Sequence, residues 1–198
     1  MDRSGILKYF KDPPTLKTDR LILRKLEKND ASDMYEYASD PKVTKYLLWE
    51  PHINLKYTSK YLSYIQSRYR AGEFYDWAVT LKNEKMIGTC GFTSFNFNNN
   101  SAEVGYVLNP AFWHRGIARE ALCEVLRFGF LVLELNRIEA KYMYENTDSL
   151  NVMKSVGMSF EGISRNAVYK KGRYVSVGTC AILSEDIEAQ KLLFGNRR

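Results

Sequence analysis

The sequence predicts a mixed α/β domain, and three observations carry that prediction. Between Ala102 and Tyr144 an alternating segment, a helical-period segment and a second alternating segment follow one another. Strands joined through a helix in this way run parallel. Short polar turns at Asn98-Asn99-Asn100 and Lys170-Lys171-Gly172 separate further alternating segments, which therefore pair antiparallel. No repeat or low-complexity stretch divides the 198 residues, so one domain is expected over 1–198, with its core over 16–183 and a short tail over 185–198.

In chain order, Leu21-Ile22-Leu23-Arg24 reads as a first strand. Asn29-Asp30 looks like a helix cap, with Met34 and Tyr37 on one face and Pro41 closing the segment. Thr58-Ser59 opens a second helix carrying Leu62, Ile65 and Tyr69, ended by Gly72. Trp77, Val79 and Leu81 alternate as a strand, Asn83-Glu84 turns, and strands follow over Met86 to Phe97 and Ala102 to Leu108. Ala121, Leu122, Val125, Leu126, Phe130 and Leu133 keep the helical period from Ala118 to Glu134. Ile138, Ala140, Tyr142 and Tyr144 alternate from Arg137, and Ser149 to Val156 is a short helix stopped by Gly157. A hairpin over Phe160–Tyr169 and Tyr174–Leu183 completes the sheet, and Ile187–Leu193 reads as a short terminal helix.

Composition excludes several function classes. Apolar residues at 45% and charged residues at 26% match an ordinary globular chain, which sets aside disordered and collagenous classes. The longest apolar run, Phe128 to Leu133, is too short to span a bilayer, and Met1 to Gly5 has no signal-peptide architecture, so no membrane partner is expected. Cys90, Cys123 and Cys180 are odd in number and set in apolar segments, as buried thiols of a reducing cytoplasmic compartment would be. With only His52 and His114 and no cysteine pair at ligand spacing, no metal site is expected. The net charge of +6 suits nucleic acid, an acidic protein surface or a phosphorylated small molecule. Without an Arg-rich run or a nucleic-acid motif, direct nucleic-acid binding ranks last.

The chemistry concentrates where the 102–108 strand meets the long helix. There the chain runs Trp113-His114-Arg115-Gly116-Ile117-Ala118-Arg119. A strand, a loop with Gly and Ala, and a helix start form an anion cradle. Unpaired amides and the positive end of the helix dipole face the ligand, and small residues admit it. The competing reading is an ordinary strand-to-helix loop whose glycine relieves strain.

Gly116-Ile117-Ala118 resembles the pyrophosphate loop of the GNAT acetyltransferase superfamily, and the chain resembles the RimJ/RimL branch in particular. Thr18 to Arg24 is similar to that branch's opening strand, and Ala102 to Leu108 to its central strand. Asn146-Thr147-Asp148-Ser149 with Lys154-Ser155-Val156-Gly157-Met158 is similar to its N-x-x-S helix start and K-x-G-F ending, and Glu161-Gly162 and Arg165 fit the following strand. Two loop positions depart from the superfamily pattern: Trp113 replaces Gln or Arg, an aromatic being usual there in this branch, and His114 stands where the branch often has Gly. Ser176 stands where the branch often carries Asp, which bears on substrate specificity.

The resemblance implies a single GNAT-like domain with a mixed, mostly antiparallel twisted sheet, one parallel β-α-β crossover and about four helices. It implies acetyl transfer from acetyl-CoA to a primary amine in a ternary complex. The acceptor is a protein N-terminus, or alternatively a polyamine, amino acid or aminoglycoside, and the protein a monomer or homodimer. A degenerate acyl-CoA-binding protein without turnover is the other class. The resemblance puts the cofactor on Trp113 to Arg119, on a backbone amide near Val107 or Leu108 that polarises the thioester, on Asn146 and Ser149, and beside Lys154. Ser149 has two readings, proton donor to the leaving thiolate or helix cap; Asn146 has two, pantetheine contact or turn former. Tyr144 is the second acid candidate. Glu103 shares a strand face with Gly105 and Val107 and is either a base acting through water or a surface carboxylate. Glu50 is a candidate for recognising a cationic amine. Tyr57, Tyr61, Tyr64 and Tyr69 lie on or beside the helix that such a fold sets at the acceptor border, most of them read as partial core or surface, and Cys123 reads as core.

Overall fold

The computed structural model describes residues 3–82 and 85–186. The Asn83-Glu84 turn and the helix expected over 187–193 lie outside the described residues. The helices are α1 (Arg3–Lys11), α2 (Ala31–Ala38), α3 (Pro41–Thr44), α4 (Leu55–Ala71), α5 (Ile117–Leu131) and α6 (Thr147–Ser155). The strands are β1 (Leu16–Lys17), β2 (Leu21–Arg24), β3 (Tyr75–Leu81), β4 (Met86–Asn96), β5 (Ser101–Leu108), β6 (Arg137–Met143), β7 (Ser159–Lys170) and β8 (Arg173–Leu183).

All eight strands form one sheet in the order β1-β2-β3-β4-β5-β6-β8-β7. Each neighbouring pair is antiparallel except β5 and β6, which the α5 crossover makes parallel as expected. The tip between β7 and β8 has positive φ at both Lys171 (+47°) and Gly172 (+82°), the two-residue turn whose twist suits a hairpin. The sheet is buried on both faces. Trp77 and Val79 of β3 join a core with Phe10 of α1 and Leu122 and Val125 of α5. Ala78, one residue out of phase, joins a second core with Met34 of α2 and Leu62 and Ile65 of α4.

Several expectations are corrected. The described residues hold six α-helices where about four were expected. α1 escapes detection because only Ile6 and Phe10 anchor it; Phe10 sits edge-on to Tyr75 at 4.9 Å and against Trp77 at 5.4 Å. Pro41 opens α3, with the Asp40 side chain accepting from Lys42 N–H at 2.8 Å, because proline is favoured in a helix's first turn. α4 starts at Leu55, three residues early, since Asn54 caps it by accepting from Tyr57 N–H at 2.9 Å. Asp30 takes the N-cap position of α2 as expected but makes no side-chain cap there; its carboxylate holds the Arg24 guanidinium at 2.6 and 2.9 Å.

Candidate active site

The anion cradle begins where β5 ends. The Trp113 indole N–H donates to Leu108 O at 2.8 Å, pinning the loop to the strand it leaves. His114 (φ +57°) and Gly116 (φ +73°) then turn the backbone left-handed, and α5 starts at Ile117. Glu120 N–H donates to Gly116 O at 3.0 Å, the first backbone bond into the helix. That leaves the amides of Ile117, Ala118 and Arg119 facing outward at the positive end of the dipole. A Cβ at Gly116 would meet only an Arg20 nitrogen at 3.5 Å, so backbone conformation rather than space calls for glycine.

The cradle is braced from a distant segment, Thr18 to Arg24, which was expected only as the opening strand. Arg20 pairs with Glu120 at 2.6 Å and donates to Arg115 O at 2.9 Å, while Thr18 Oγ1 donates to Glu120 at 2.5 Å. Burial pushes the Glu120 carboxyl up, but the hydrogen bonds from Thr18 and Arg20 outweigh it and hold the group below the usual carboxylate range. A negative side chain beside an anion cradle is thereby neutralised. The Arg115 guanidinium lies over the Phe112 ring at 5.7 Å, and Arg119 Nε donates to Ser155 O at 3.1 Å, tying α5 to α6. His114 is exposed at the loop's apex.

Beside the cradle the sheet splays. β5 and β6 pair only over Ser101–Val104 and Arg137–Ala140, after which their edges diverge. Asn109 N–H donates to Ile87 O at 2.8 Å and fixes the parity of β5. Alternation then turns the Val107 amide toward β4 and those of Tyr106 and Leu108 into the gap. Of the two amides expected near the thioester, Val107 is thus committed to β4 and Leu108 faces the gap. Tyr106 Oη bridges the opening by donating to Ser149 O at 3.0 Å.

Asn146 caps α6: its side-chain oxygen accepts from Ser149 N–H at 3.2 Å, and its Nδ2 donates to Ser149 Oγ at 3.0 Å. The cap is Asn146, which corrects the alternative that Ser149 fills that position. With one lone pair engaged by Asn146, Ser149 Oγ keeps its own proton to donate. Both residues line the main cavity. Tyr144 does not. β6 ends at Met143, so Tyr144 leaves the alternation and is 55% exposed, while Tyr142 lines the cavity instead. Lys154 is exposed on α6, outside the cavity lining. Glu103 does line it, but Lys141 Nζ sits 2.6 Å from its carboxylate and bridges to Glu139, its register partner on β6, at 3.1 Å.

The cavity, about 560 Å³, runs from this splay to the far side of the sheet. Its distal wall is aromatic: Trp49, His52, Tyr57 and Tyr61 stand together, with His52 Nδ1 on Thr58 Oγ1 at 2.8 Å. Burial pushes the His52 imidazole down. Tyr69 is wholly buried and Tyr64 is exposed, as expected of core and surface tyrosines, while Tyr57 and Tyr61 reach the cavity. The segment carrying Trp49 and Glu50 is tied to the β7–β8 tip, where Lys171 pairs with Glu50 at 3.0 Å and Lys170 donates to Thr44 O at 3.2 Å and to Lys45 O.

One acidic lining residue was missed altogether. Asp76 on β3 accepts from Trp77 N–H at 3.0 Å and from the Thr89 side chain, and burial pushes its carboxyl up to about 7 against those two donors. The only sequence signal is a charge in the apolar strand Tyr75-Asp76-Trp77-Ala78-Val79. Cys90 and Cys180 are buried, Cys123 is half-buried, and all three are free thiols. Among the described residues no group of three or more His, Cys, Asp or Glu is placed to hold a metal ion, and no helix is long and apolar enough to cross a membrane.

The family model described as acetyltransferase (GNAT) domain matches residues 20–159. The chain is 36% identical over 173 residues to p20 of Bacillus licheniformis, described as an uncharacterized N-acetyltransferase, covering 87% of this chain and 97% of p20. It superposes with a TM-score of 0.78 and 29% identity on a GNAT-family acetyltransferase from Bacillus anthracis, covering 87% of this chain and 99% of the other. RimL, a ribosomal L7/L12 alpha-N-protein acetyltransferase solved with coenzyme A, shares the fold at a TM-score of 0.75 and 21% identity, over 86% of this chain and 98% of RimL.

Proposed function

The chain belongs to the GNAT acetyltransferase family and is an N-acetyltransferase drawing on acetyl-CoA; from that premise we propose that its acceptor is a protein N-terminal amine and that it sits in the RimJ/RimL branch. The observation that supports this acceptor is a single unpaired carboxylate in an aromatic cavity. Of the acidic residues lining it, Glu50 is paired with Lys171 and Glu103 with Lys141, while among the described residues Asp76 has no cationic partner. A polyamine carries several cations along its length and calls for several such carboxylates; an N-terminus presents one. Leu48 and Ile53 stay more than two-thirds exposed beside the cavity and offer apolar contact to the residues that follow an N-terminus.

In this reading the pyrophosphate rests on the amides of Ile117 to Arg119, and the pantetheine arm enters the splay between β5 and β6. The Leu108 or Tyr106 amide polarises the thioester carbonyl as the amine attacks. Carbon–nitrogen bond formation expels the CoA thiolate, and Ser149, oriented by Asn146, supplies the sulfur with a proton. The test is mass spectrometry of an alanine-initiated peptide, spermidine and an aminoglycoside incubated with acetyl-CoA and the full chain. Acetylation of the peptide's α-amine is the expected result. Transfer to spermidine or the aminoglycoside with the peptide untouched would overturn the acceptor assignment and leave the small-amine reading, for which a cavity of this size is also adequate.

A further inference from the structure

We propose that Asp76 binds the acceptor's ammonium and takes its proton, acting as the general base of acetyl transfer. The inference rests on the amine-acetylation reading above and names the group which that reading lacked. Its basis is a row of three residues in register across the sheet: Asp76 on β3 faces Gly91 on β4, and Gly91 faces Gly105 on β5. A Cβ at Gly91 would lie 2.4 Å from Asp76 Cα and 2.7 Å from Asp76 Oδ1, so only glycine lets the carboxyl lean over β4. Beyond it, a Cβ at Gly105 would meet only Thr93 Cγ2, at 3.0 Å. Two successive positions without side chains thus clear a path from the carboxyl to the edge of β5. Two inter-strand steps of about 4.8 Å separate the backbones at its ends, a span that holds an amine nitrogen and a thioester carbonyl end to end.

The surroundings suit an ammonium. Tyr37, Tyr61 and Phe74 line the cavity with it, and aromatic rings in such a wall favour a cation. Tyr69 Oη donates to the Asp76 carbonyl at 2.6 Å and accepts from Leu26 N–H at 3.2 Å, which fixes the strand under the carboxyl. The ionisable groups facing Asp76 are Tyr37 from α2 and Tyr61 and Tyr69 from α4, and Cys90 of β4 acts on it from the opposite face of the sheet; all are neutral near pH 7, with pKa values raised by burial. His52, Glu103 and Lys141 line the cavity farther along, and the last two are paired with each other. A carboxyl titrating near 7 suits a general base, being ionised often enough to bind the ammonium and basic enough to accept its proton. The protons balance. Asp76 takes one from the ammonium; the free amine attacks; the second proton, shed by nitrogen as the amide forms, ends on the CoA sulfur by way of Ser149, and Asp76 releases its own to solvent.

The experiment compares wild type, Asp76→Asn and Thr89→Val in transfer from acetyl-CoA to the alanine-initiated peptide, across about pH 6 to about pH 10. Calorimetric CoA binding serves as the check on folding. Wild-type kcat/KM should rise through pH 7. Asp76→Asn should lose that limb, fall about 10²-fold or more near neutrality and recover as the amine's own titration supplies free base. Thr89→Val keeps the carboxylate but removes a donor to it, so the limb should move upward. A profile of Asp76→Asn superimposable on wild type overturns the proposal. If that variant fails to fold, an unmoved limb in Thr89→Val does so. Should the peptide remain unmodified while another amine is acetylated, the acceptor reading fails, and the same comparison on that amine still decides the role of Asp76. Carbon-13 titration of aspartate-labelled protein stands apart from any acceptor: an Asp76 carboxyl titrating in the ordinary range overturns the proposal.

Discussion

Asn146 and Ser149 hold each other twice, through a side-chain oxygen on a backbone amide at 3.2 Å and a side-chain nitrogen on a hydroxyl at 3.0 Å. The first bond is a helix cap and the second orients a potential acid, so the two residues have separable roles. Ser149→Ala should lower kcat well beyond any change in CoA affinity, because protonating a leaving thiolate acts only in the transition state. Asn146→Ala should cost about 1 kcal/mol of stability through the lost cap and also lower kcat by releasing the hydroxyl. Steady-state kinetics beside thermal melts separate the two; equal turnover in wild type and Ser149→Ala would leave the serine no part in the chemistry.

The Gly116 cradle and its Arg20 brace give a matched set of variants. Gly116→Glu puts a carboxylate where the pyrophosphate is proposed to rest and forces a side chain onto a φ of +73°; CoA affinity should fall at least about tenfold. Arg20→Ala should weaken CoA as well, by leaving Glu120 unneutralised in the first turn of α5. Adding Glu120→Gln to Arg20→Ala should restore much of that affinity. Calorimetry on the folded proteins checks all three.

Glu103→Gln should change turnover by less than about threefold, as befits the loss of one part-exposed ion pair. The lysine it frees, Lys141, keeps its contact with Glu139 at 3.1 Å. A loss of about 10²-fold or more on one identified acceptor would return Glu103 to the role of base.

Asp76 should also reveal itself in stability. Its carboxyl is raised from 3.8 to about 7 by burial, so between those pH values the unfolded chain gives up a proton that the folded chain keeps. Stability therefore falls as pH rises through that window, and above it the cost of burying the charge is fully present. Asp76→Asn carries no such charge. It should match wild type near pH 4 and exceed it at pH 8 by roughly 4 kcal/mol, the trade of stability for function familiar at active sites. Thermal melts at the two pH values test this.

The cradle was legible because two signals coincide there: a glycine in the loop and the apolar helical period that starts directly after it. The parallel crossover followed from that helix and its flanking strands. What stayed hidden depends on contacts between distant segments. Arg20 acts on Glu120 across 100 positions, and nothing local marks either residue as a partner. Asp76 becomes special only when β3 and β4 bring Gly91 beside it. Tyr144 was misplaced for a narrower reason. Its parity agrees with Ile138, Ala140 and Tyr142, but parity holds only while the strand lasts, and β6 stops one residue earlier.

The sheet order places β8 between β6 and β7, although β8 is the last strand described in the chain. While a nascent chain is being made, β6 therefore waits with one edge uncovered until more than thirty further residues have emerged, α6 and β7 among them. The segment bearing Trp49 and Glu50 waits longer still, since Lys170 anchors to Thr44 across 126 positions. A cofactor cradle that can assemble early is thus joined to an acceptor wall that cannot. Stalled or truncated products would carry an open strand edge, the kind of surface that recruits chaperones or a second copy of the same unfinished chain.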